Sequence, residues 1–516
     1  MPPNPDEFET LSSESSGDKR LTTAAQVRVP TATLVYHSDL TRVGERLLLL
    51  QPARGEWVEI SRTEGRFSGP GAAPRPLDDP FLSRSPVRLR QRPRGALEVS
   101  VEDKHRAKLD GEPFAGAQLI ASERLQAGVT LEFSKRVVLF LHETMSAPPT
   151  PTFGLVGQSE GMQRVRAAIA NVADLEVPVL LRGETGVGKD RVARALHEAS
   201  GSDGPFVAVN MANVHPNTSA SELFGHVRGA FTGAEQARSG LFRQAEGGTL
   251  FLDEVGELHS DVQGMLLRAL ETSTVRPLGS AKEHETNVRV VSATDSDLGA
   301  RVEEHTFRGA LLHRLESYRI DVPPLRDRRE DIPRLAVAFL TEELDRIGQP
   351  ERISTAPKAK PWLHRDTMLQ LMAHSWPGNV RQLRNVIRQL TISSRGSDVA
   401  VIDERVRTVL LQAEPARPTA PAVEERPPED ATLIAALARH RWVIAKAARE
   451  LGLSRTSLYR RVESSADLRT GPQLTREELL EAKLATGGNL DRMSEHLRVS
   501  RRAVGLRLAE LGIEPS

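Results

Sequence analysis

Cysteine is absent from the 516 residues. Its absence removes disulfides, thiol nucleophiles and zinc–thiolate sites together, and the expected compartment is the cytoplasm. Net charge is missing as well, because 69 Lys and Arg balance 69 Asp and Glu. A uniformly basic nucleic-acid coat and a supercharged acidic protein are thereby excluded, though a local basic patch is not. No apolar run is long enough to span a bilayer, so no membrane partner is expected. The opening MPPNPDEFETLSSESSGDKR is polar and acidic and does not read as a signal peptide. What the chain does have is 39% apolar residues. That suffices for packed cores, and the length suits about three or four domains.

Residues 1–27 are rich in Ser, Glu and Pro without hydrophobic periodicity, and read as a disordered tail. From 28 to 143, short apolar runs such as RLLLL (46–50), LEVSV (97–101) and VVLFLH (137–142) are split by Gly and Pro, which predicts an all-β domain. Residues 144–153 carry three prolines and read as a linker. From 154 to 400, helical patterns alternate with apolar strands such as PVLL (178–181), TLFLDEV (249–255) and VRVVSAT (288–294). This predicts a parallel α/β sheet, with a helical lid from about 329. A second proline-rich linker spans 411–430, and 431–516 reads as helices only. The expected fold class is therefore multidomain: an all-β sandwich, an α/β P-loop domain with a helical lid, and an all-α tail.

GETGVGKD (183–190) lies between an apolar strand and a helical segment, the context a phosphate-binding loop needs. Backbone N–H groups of Gly183, Glu184, Thr185, Gly186, Val187 and Gly188 would surround the phosphates, and Lys189 would place its ammonium on the β- and γ-phosphates of ATP. Asp190 occupies the position where Ser or Thr usually follows the lysine. In TLFLDEVGE (249–257), Asp253 would hold Mg²⁺ and Glu254 would polarise the attacking water.

Residues 154–400 resemble the AAA+ domain of bacterial enhancer-binding proteins, the ATPases that activate sigma-54 RNA polymerase. The resemblance rests on ELFGHVRGAFTGA (222–234), PFVAVN (205–210), EGGTLFLDEVGEL (246–258), VPPLRDRREDI (322–332) and WPGNVRQLRNVI (376–387). It implies that Gly229, Ala230, Phe231, Thr232, Gly233 and Ala234 contact sigma-54. It implies that Asn210 restrains the catalytic glutamate, and that Arg308 and Arg314 are trans-acting fingers stabilising charge on the transferred phosphoryl. Arg381 would couple nucleotide to lid position. The active site would then belong to a ring of copies, a hexamer by resemblance. Asp295 replaces the family's usual asparagine in the first sensor stretch, where a carboxylate would repel the γ-phosphate. Ala310 replaces an acidic residue in the finger segment.

In the tail, Ser454 and Ser500 stand 46 residues apart in a weak repeat, LGLSRTSLYRRV against LRVSRRAVGLRL. Residues 431–463 carry seven basic and two acidic residues, whereas 475–516 carry seven of each. The first copy resembles the Fis-type helix-turn-helix, which implies enhancer DNA as partner. Its second helix would place Arg455, Thr456, Ser457, Tyr459 and Arg460 in the major groove, and the second copy offers Arg501, Arg502 and Arg507.

The β domain resembles a forkhead-associated domain in EISR (59–62), DDPFLSRSP (78–86) and KLDGEPF (108–114). That implies a phosphothreonine protein gripped by Arg62, Ser83 and Arg84. Pro86 stands where the family has histidine, and His105 where it has asparagine. The reading is an ATP-hydrolysing activator that binds enhancer DNA and remodels sigma-54 polymerase. Two rivals are a DNA-binding regulator with an inert ATPase, which Asp295 favours, and an ATP-dependent protein unfoldase.

Overall fold

The computed structural model describes residues 28–49, 56–69, 73–102, 107–132, 135–145, 151–232, 234–353, 360–412, 430–440, 442–443, 447, 450–451, 458, 474–511 and 513. The expected N-terminal tail, most of the second linker, and the helix positions Arg455, Thr456, Ser457, Tyr459 and Arg460 lie outside the described residues, as do His105 and Gly233.

The described residues from 28 to 145 build two antiparallel sheets. One has the order β2-β1-β10-β9-β6-β7, from strands Arg46–Leu48, Arg28–His37, Val137–Met145, Val129–Glu132, Ala107–Leu109 and Glu112–Phe114. The other has the order β3-β4-β5-β8, from Val58–Ile60, Val87–Gln91, Leu97–Val101 and Gly116–Ile120. Leu34, Ile60, Leu89, Val99, Leu131 and Leu139 from both sheets share one core, so the sheets pack face to face.

The pairing of β1 with β10 has a second consequence. Successive residues of a strand point to opposite faces. In β10, Val137, Leu139 and Leu141 enter the sandwich core, while Val138 and Phe140 face the other way. There they join Val35, Tyr36, Leu40 and Val43 against Leu335, Trp362, Leu363, Met368 and Trp376 of the lid. A continuous apolar run is what a strand buried on both faces looks like. Gly128 (φ 81°) permits this, because a Cβ there would lie 1.9 Å from the Phe140 ring. The sandwich and the ATPase region thus form one compact unit up to residue 419. The short segment after β10 separates them in sequence but not in packing.

The next sheet is parallel, in the order β12-β15-β18-β11-β19: Phe206–Asn210, Thr249–Asp253, Arg289–Thr294, Val179–Arg182 and Tyr318–Asp321. Two short strand pairs lie outside it, β13–β14 (Gly225–His226 and Arg238–Ser239) and β16–β17 (Thr274–Val275 and His284–Glu285). Helices Glu160–Val172 and Lys189–Ala199 cover one face through Ile169, Val192 and Leu196. Helices Ser260–Thr272 and Gly309–Leu315 cover the other through Leu266 and Leu311. In such a sheet, ligands bind beyond the carboxyl ends of the strands. The lid follows as helices Ile332–Arg346, Arg365–Ala373, Asn379–Ser393 and Glu404–Gln412, so it continues past residue 400.

The tail is a separate unit. A helix spans Asp430–Arg439, and its Leu433 and Leu437 pack with Trp442, Ala447 and Leu458. Helices Arg476–Thr486, Leu490–Leu497 and Arg501–Glu510 enclose Leu479, Met493, Val499, Val504 and Leu508. Thr475 and Glu478 form a reciprocal cap on the first of these three helices. Ser500 Oγ accepts the Ala503 N–H at 3.3 Å, as expected of an N-cap. Among the described residues, no helix is long and apolar enough to cross a membrane.

Candidate nucleotide and sigma-factor site

The phosphate loop leaves β11 in the middle of the parallel sheet. Gly186 and Gly188 adopt φ of 80° and 103°, a conformation that side chains resist. Lys189 is buried at the start of its helix and donates to the Gly183 carbonyl at 2.8 Å. Its Nζ stands 4.0 Å from Glu254 Oε1. Strand β15, separated from β11 by β18, delivers Asp253 and Glu254 to the same edge, and Glu254 takes a left-handed φ of 52° that non-glycine residues adopt only under local constraint. Lys189 therefore faces Glu254, with Asp253 next to it in the chain. Asp190 is exposed in the first helical turn.

Asn210 pairs in register with Asp253 across β12 and β15. Its amide donates to Asp253 Oδ2 at 3.3 Å, so here the asparagine orients Asp253 rather than the glutamate. The partner of Glu254 is Asp295 at the end of β18. Burial pushes the Glu254 carboxyl upward, and the charges of Asp295 and Asp253 add to this while Lys189 opposes it. Asp295 is held below the usual carboxylate range, chiefly by the Thr185 hydroxyl bonded to it. The two shifts run in opposite directions, so of this pair Asp295 gives up its proton more readily than Glu254.

The lid closes on the loop tip. Arg381 N–H donates to Gly186 O at 3.2 Å, and a Cβ on Gly186 would meet Gly378 O at 2.6 Å. Two residues not singled out in the sequence complete the clasp. Asn379, fully buried at the start of the third lid helix, donates to Glu184 Oε2 and Thr185 O, each at 3.1 Å, and accepts from Leu325 N–H. Arg326 forms a two-pronged pair with Glu184 at 2.8 and 2.5 Å, which holds the Glu184 carboxyl below its ordinary range. Both lie in stretches already notable, WPGNVRQL and PPLRDRRED, but 195 and 142 residues from their partner. No spacing rule reaches that far.

The two candidate fingers differ. Arg308 is exposed, with its guanidinium over Gly264. Arg314 instead donates twice to Leu270 O, at 3.0 and 2.7 Å, and a role on a neighbouring copy would require it to leave that carbonyl. In the 229–234 segment Gly229 N–H bonds Ala234 O at 2.8 Å, and Ala234 N–H bonds Phe231 O at 3.0 Å. Phe231 is 45% exposed and meets His226 edge-on at 5.0 Å. Ala230 rests on Gly279, and Val227 N–H bonds Leu278 O, which ties the loop to the neighbouring 274–285 hairpin.

Comparison with known proteins decides the family. The sigma-54 interaction domain matches residues 155–321, an AAA+ ATPase lid domain matches 326–420, and the Fis family of bacterial regulatory proteins matches 428–463. The DNA-binding transcriptional regulator NtrC of Salmonella typhimurium is 38% identical over 366 residues, covering 70% of this chain and 71% of NtrC. The chain belongs to the NtrC-like sigma-54-dependent activators. Another member, the transcriptional regulatory protein ZraR of Escherichia coli, is 38% identical over 345 residues, covering 65% of this chain and 74% of ZraR. NtrX from Brucella abortus, solved in complex with ADP, is 33% identical over 60% of this chain and 69% of that one, with a TM-score of 0.44. As an activator of this family, the chain is a transcription regulator with a sigma-54 interaction domain and a DNA-binding helix-turn-helix.

Elsewhere the candidate residues fall as follows. In the sandwich, Arg62 N–H donates to Ser83 O at 3.3 Å, and Asp78 N–H to Arg62 O at 3.0 Å, so Arg62, Ser83 and Arg84 share one loop cluster. In the tail, Arg501 is exposed in the first turn of its helix. Arg507 donates to Leu474 O at 3.1 Å and to Glu510 at 2.8 Å, which assigns it to holding the three-helix unit together rather than to a free basic face.

Proposed function

We propose that this activator hydrolyses ATP between the subunits of a ring and uses the cycle to drive the 229–234 loops against sigma-54 polymerase. The observation that carries this is the convergence of Lys189, Asp253 and Glu254 beyond the sheet edge, in a chain whose sigma-54 loop springs from the same domain. Gly183–Asp190 would cradle the phosphates, Lys189 would neutralise them, and Glu254, once ionised, would take the proton of the attacking water. Asp253 offers a fixed hard oxygen donor at a strand end, a setting that suits Mg²⁺ completed by substrate phosphates. The ion, when bound, would supply charge neutralisation at the transferring phosphoryl. Arg308 would reach the next subunit's nucleotide, and Arg381 would pass lid position to the loop.

The sandwich would bind a phosphothreonine protein through Arg62, Ser83 and Arg84, and the tail would tether the ring to enhancer DNA. ATP hydrolysis per subunit is expected to rise steeply with protein concentration, because each site needs its neighbour's arginine. Turnover per subunit that stays flat from nanomolar to micromolar protein would count against a shared site. Total silence would favour the reading in which the ATPase is inert, for which Asp295 is the specific support.

A further inference from the structure

The sandwich touches both halves of the ATPase, and the two contacts differ in kind. Its contact with the lid is a continuous apolar core containing Val35, Tyr36, Val138 and Phe140, reinforced by three polar contacts. Tyr36 Oη donates to Leu363 O at 2.7 Å, Leu40 N–H donates to Ile353 O at 3.3 Å, and Arg365 pairs with Glu132 at 3.2 Å. Cores of this kind are close-packed and move as one body. The contact with the nucleotide-binding half is small and polar. Arg46 Nη1 donates to Gln158 O at 3.0 Å while its charge also faces Glu330 and Asp331 of the lid, and Arg28 bridges Glu160 at 3.7 Å and Glu143 of its own sandwich at 3.8 Å. Gln158 and Glu160 flank the start of the first helix of that half. The lid meets the same segment through Asp331, which accepts from Gln158 N–H at 2.5 Å and from Ser159 N–H at 3.0 Å and Oγ at 2.6 Å. Residues 157–159 and 331 therefore form the pivot between the halves, with the sandwich straddling it.

We infer that the sandwich rides on the lid as a single body and that Arg46 and Arg28 latch this body to the nucleotide-binding half, restraining the lid swing that ATP turnover requires. This deepens the ATPase reading above and rests on it. The lid is clasped to the phosphate loop through Asn379 and Arg381, so an angle held at the pivot is also an angle held at the phosphates. A lid rotation keeps the apolar contact intact but must stretch the two arginine contacts.

The test uses the full chain, because excising the sandwich would bare the apolar face of the lid. Since the chain has no cysteine, nitroxide labels can be placed uniquely at Leu119→Cys on the sandwich and Arg164→Cys on the first helix, both exposed. Carrying Arg46→Ala with Arg28→Ala should broaden the measured label-to-label distance distribution and raise ATP turnover about fivefold. Arg28→Ala alone, at a half-exposed side chain, should do both to a smaller degree and stands in if the double variant misfolds. An unchanged distribution would overturn the latch whatever the turnover. A broadened distribution with unchanged turnover would overturn the restraint. Broadening with no turnover in any chain would remove the ATPase reading, and the regulatory half of the inference with it, leaving the mechanical latch standing.

Discussion

ATP turnover should fall by at least about a hundredfold in Glu254→Gln, the low end of what a positioned general base contributes, while ATP binding stays intact. Glutamine keeps the shape of the side chain and its place 4.0 Å from Lys189, but it cannot accept the proton of the attacking water. Binding should survive because, on the reading proposed above, the phosphates would be held by Gly183–Asp190. Equilibrium titration with a fluorescent ATP analogue, set beside steady-state hydrolysis, separates the two effects. Loss of binding in step with turnover would mean that Glu254 builds the pocket rather than doing chemistry.

Asp295→Asn should act in the opposite direction. It removes the carboxylate whose charge pushes Glu254 upward and which, on the reading proposed above, would oppose the γ-phosphate. If these effects raise the barrier by about 1.4 kcal/mol, the asparagine chain turns over about tenfold faster. A kcat equal to or below that of the parent would show that the Thr185–Asp295 hydrogen bond serves catalysis instead of slowing it.

The second large effect lies at the other end of the motor. Thr232→Ala should leave ATP hydrolysis within about twofold of the parent and abolish promoter opening by sigma-54 polymerase. Thr232 is exposed, whereas the loop's shape depends on main-chain bonds from Gly229 and Ala234 and on the seat of Ala230 against Gly279. Removing one hydroxyl and one methyl therefore leaves the loop standing but changes the surface it offers. Open-complex formation on a pre-melted and on a duplex promoter reads this directly. Opening of the duplex promoter at parental rate would take Thr232 out of the contact.

The strand–loop–helix unit of the α/β domain was readable because its signals are local. PVLLRGETGVGKD places strand, loop and helix in one line, and TLFLDE ends a buried strand on two carboxylates. What escaped depended on partners far away in sequence. Asp295 could be seen to depart from its family, but not that Thr185 would bond it and hold its carboxyl below the usual range beside Glu254. Glu184 gave no sign of Arg326, nor Asn210 of its choice of Asp253. VVLFL (137–141) is the instructive case. Its apolarity reads only as a strand of the β domain, whereas the structure buries both of its faces, one in the sandwich and one against the lid. The Pro-rich segment after it looked like a spacer between independent domains, and packing overrode that.

That shared packing also sets an order of events during synthesis. The outer face of β1 and β10 is complete once residue 145 has emerged, but its cover, which includes Leu335, Trp362, Met368 and Trp376, comes some two hundred residues later. At roughly 5–20 residues per second, Val35, Tyr36, Val138 and Phe140 wait about ten to fifty seconds on the ribosome with nothing of their own chain to meet. For that interval the nascent chain carries an adhesive apolar strand pair, and its yield in the cell should depend on whether a chaperone shields that pair until the lid arrives.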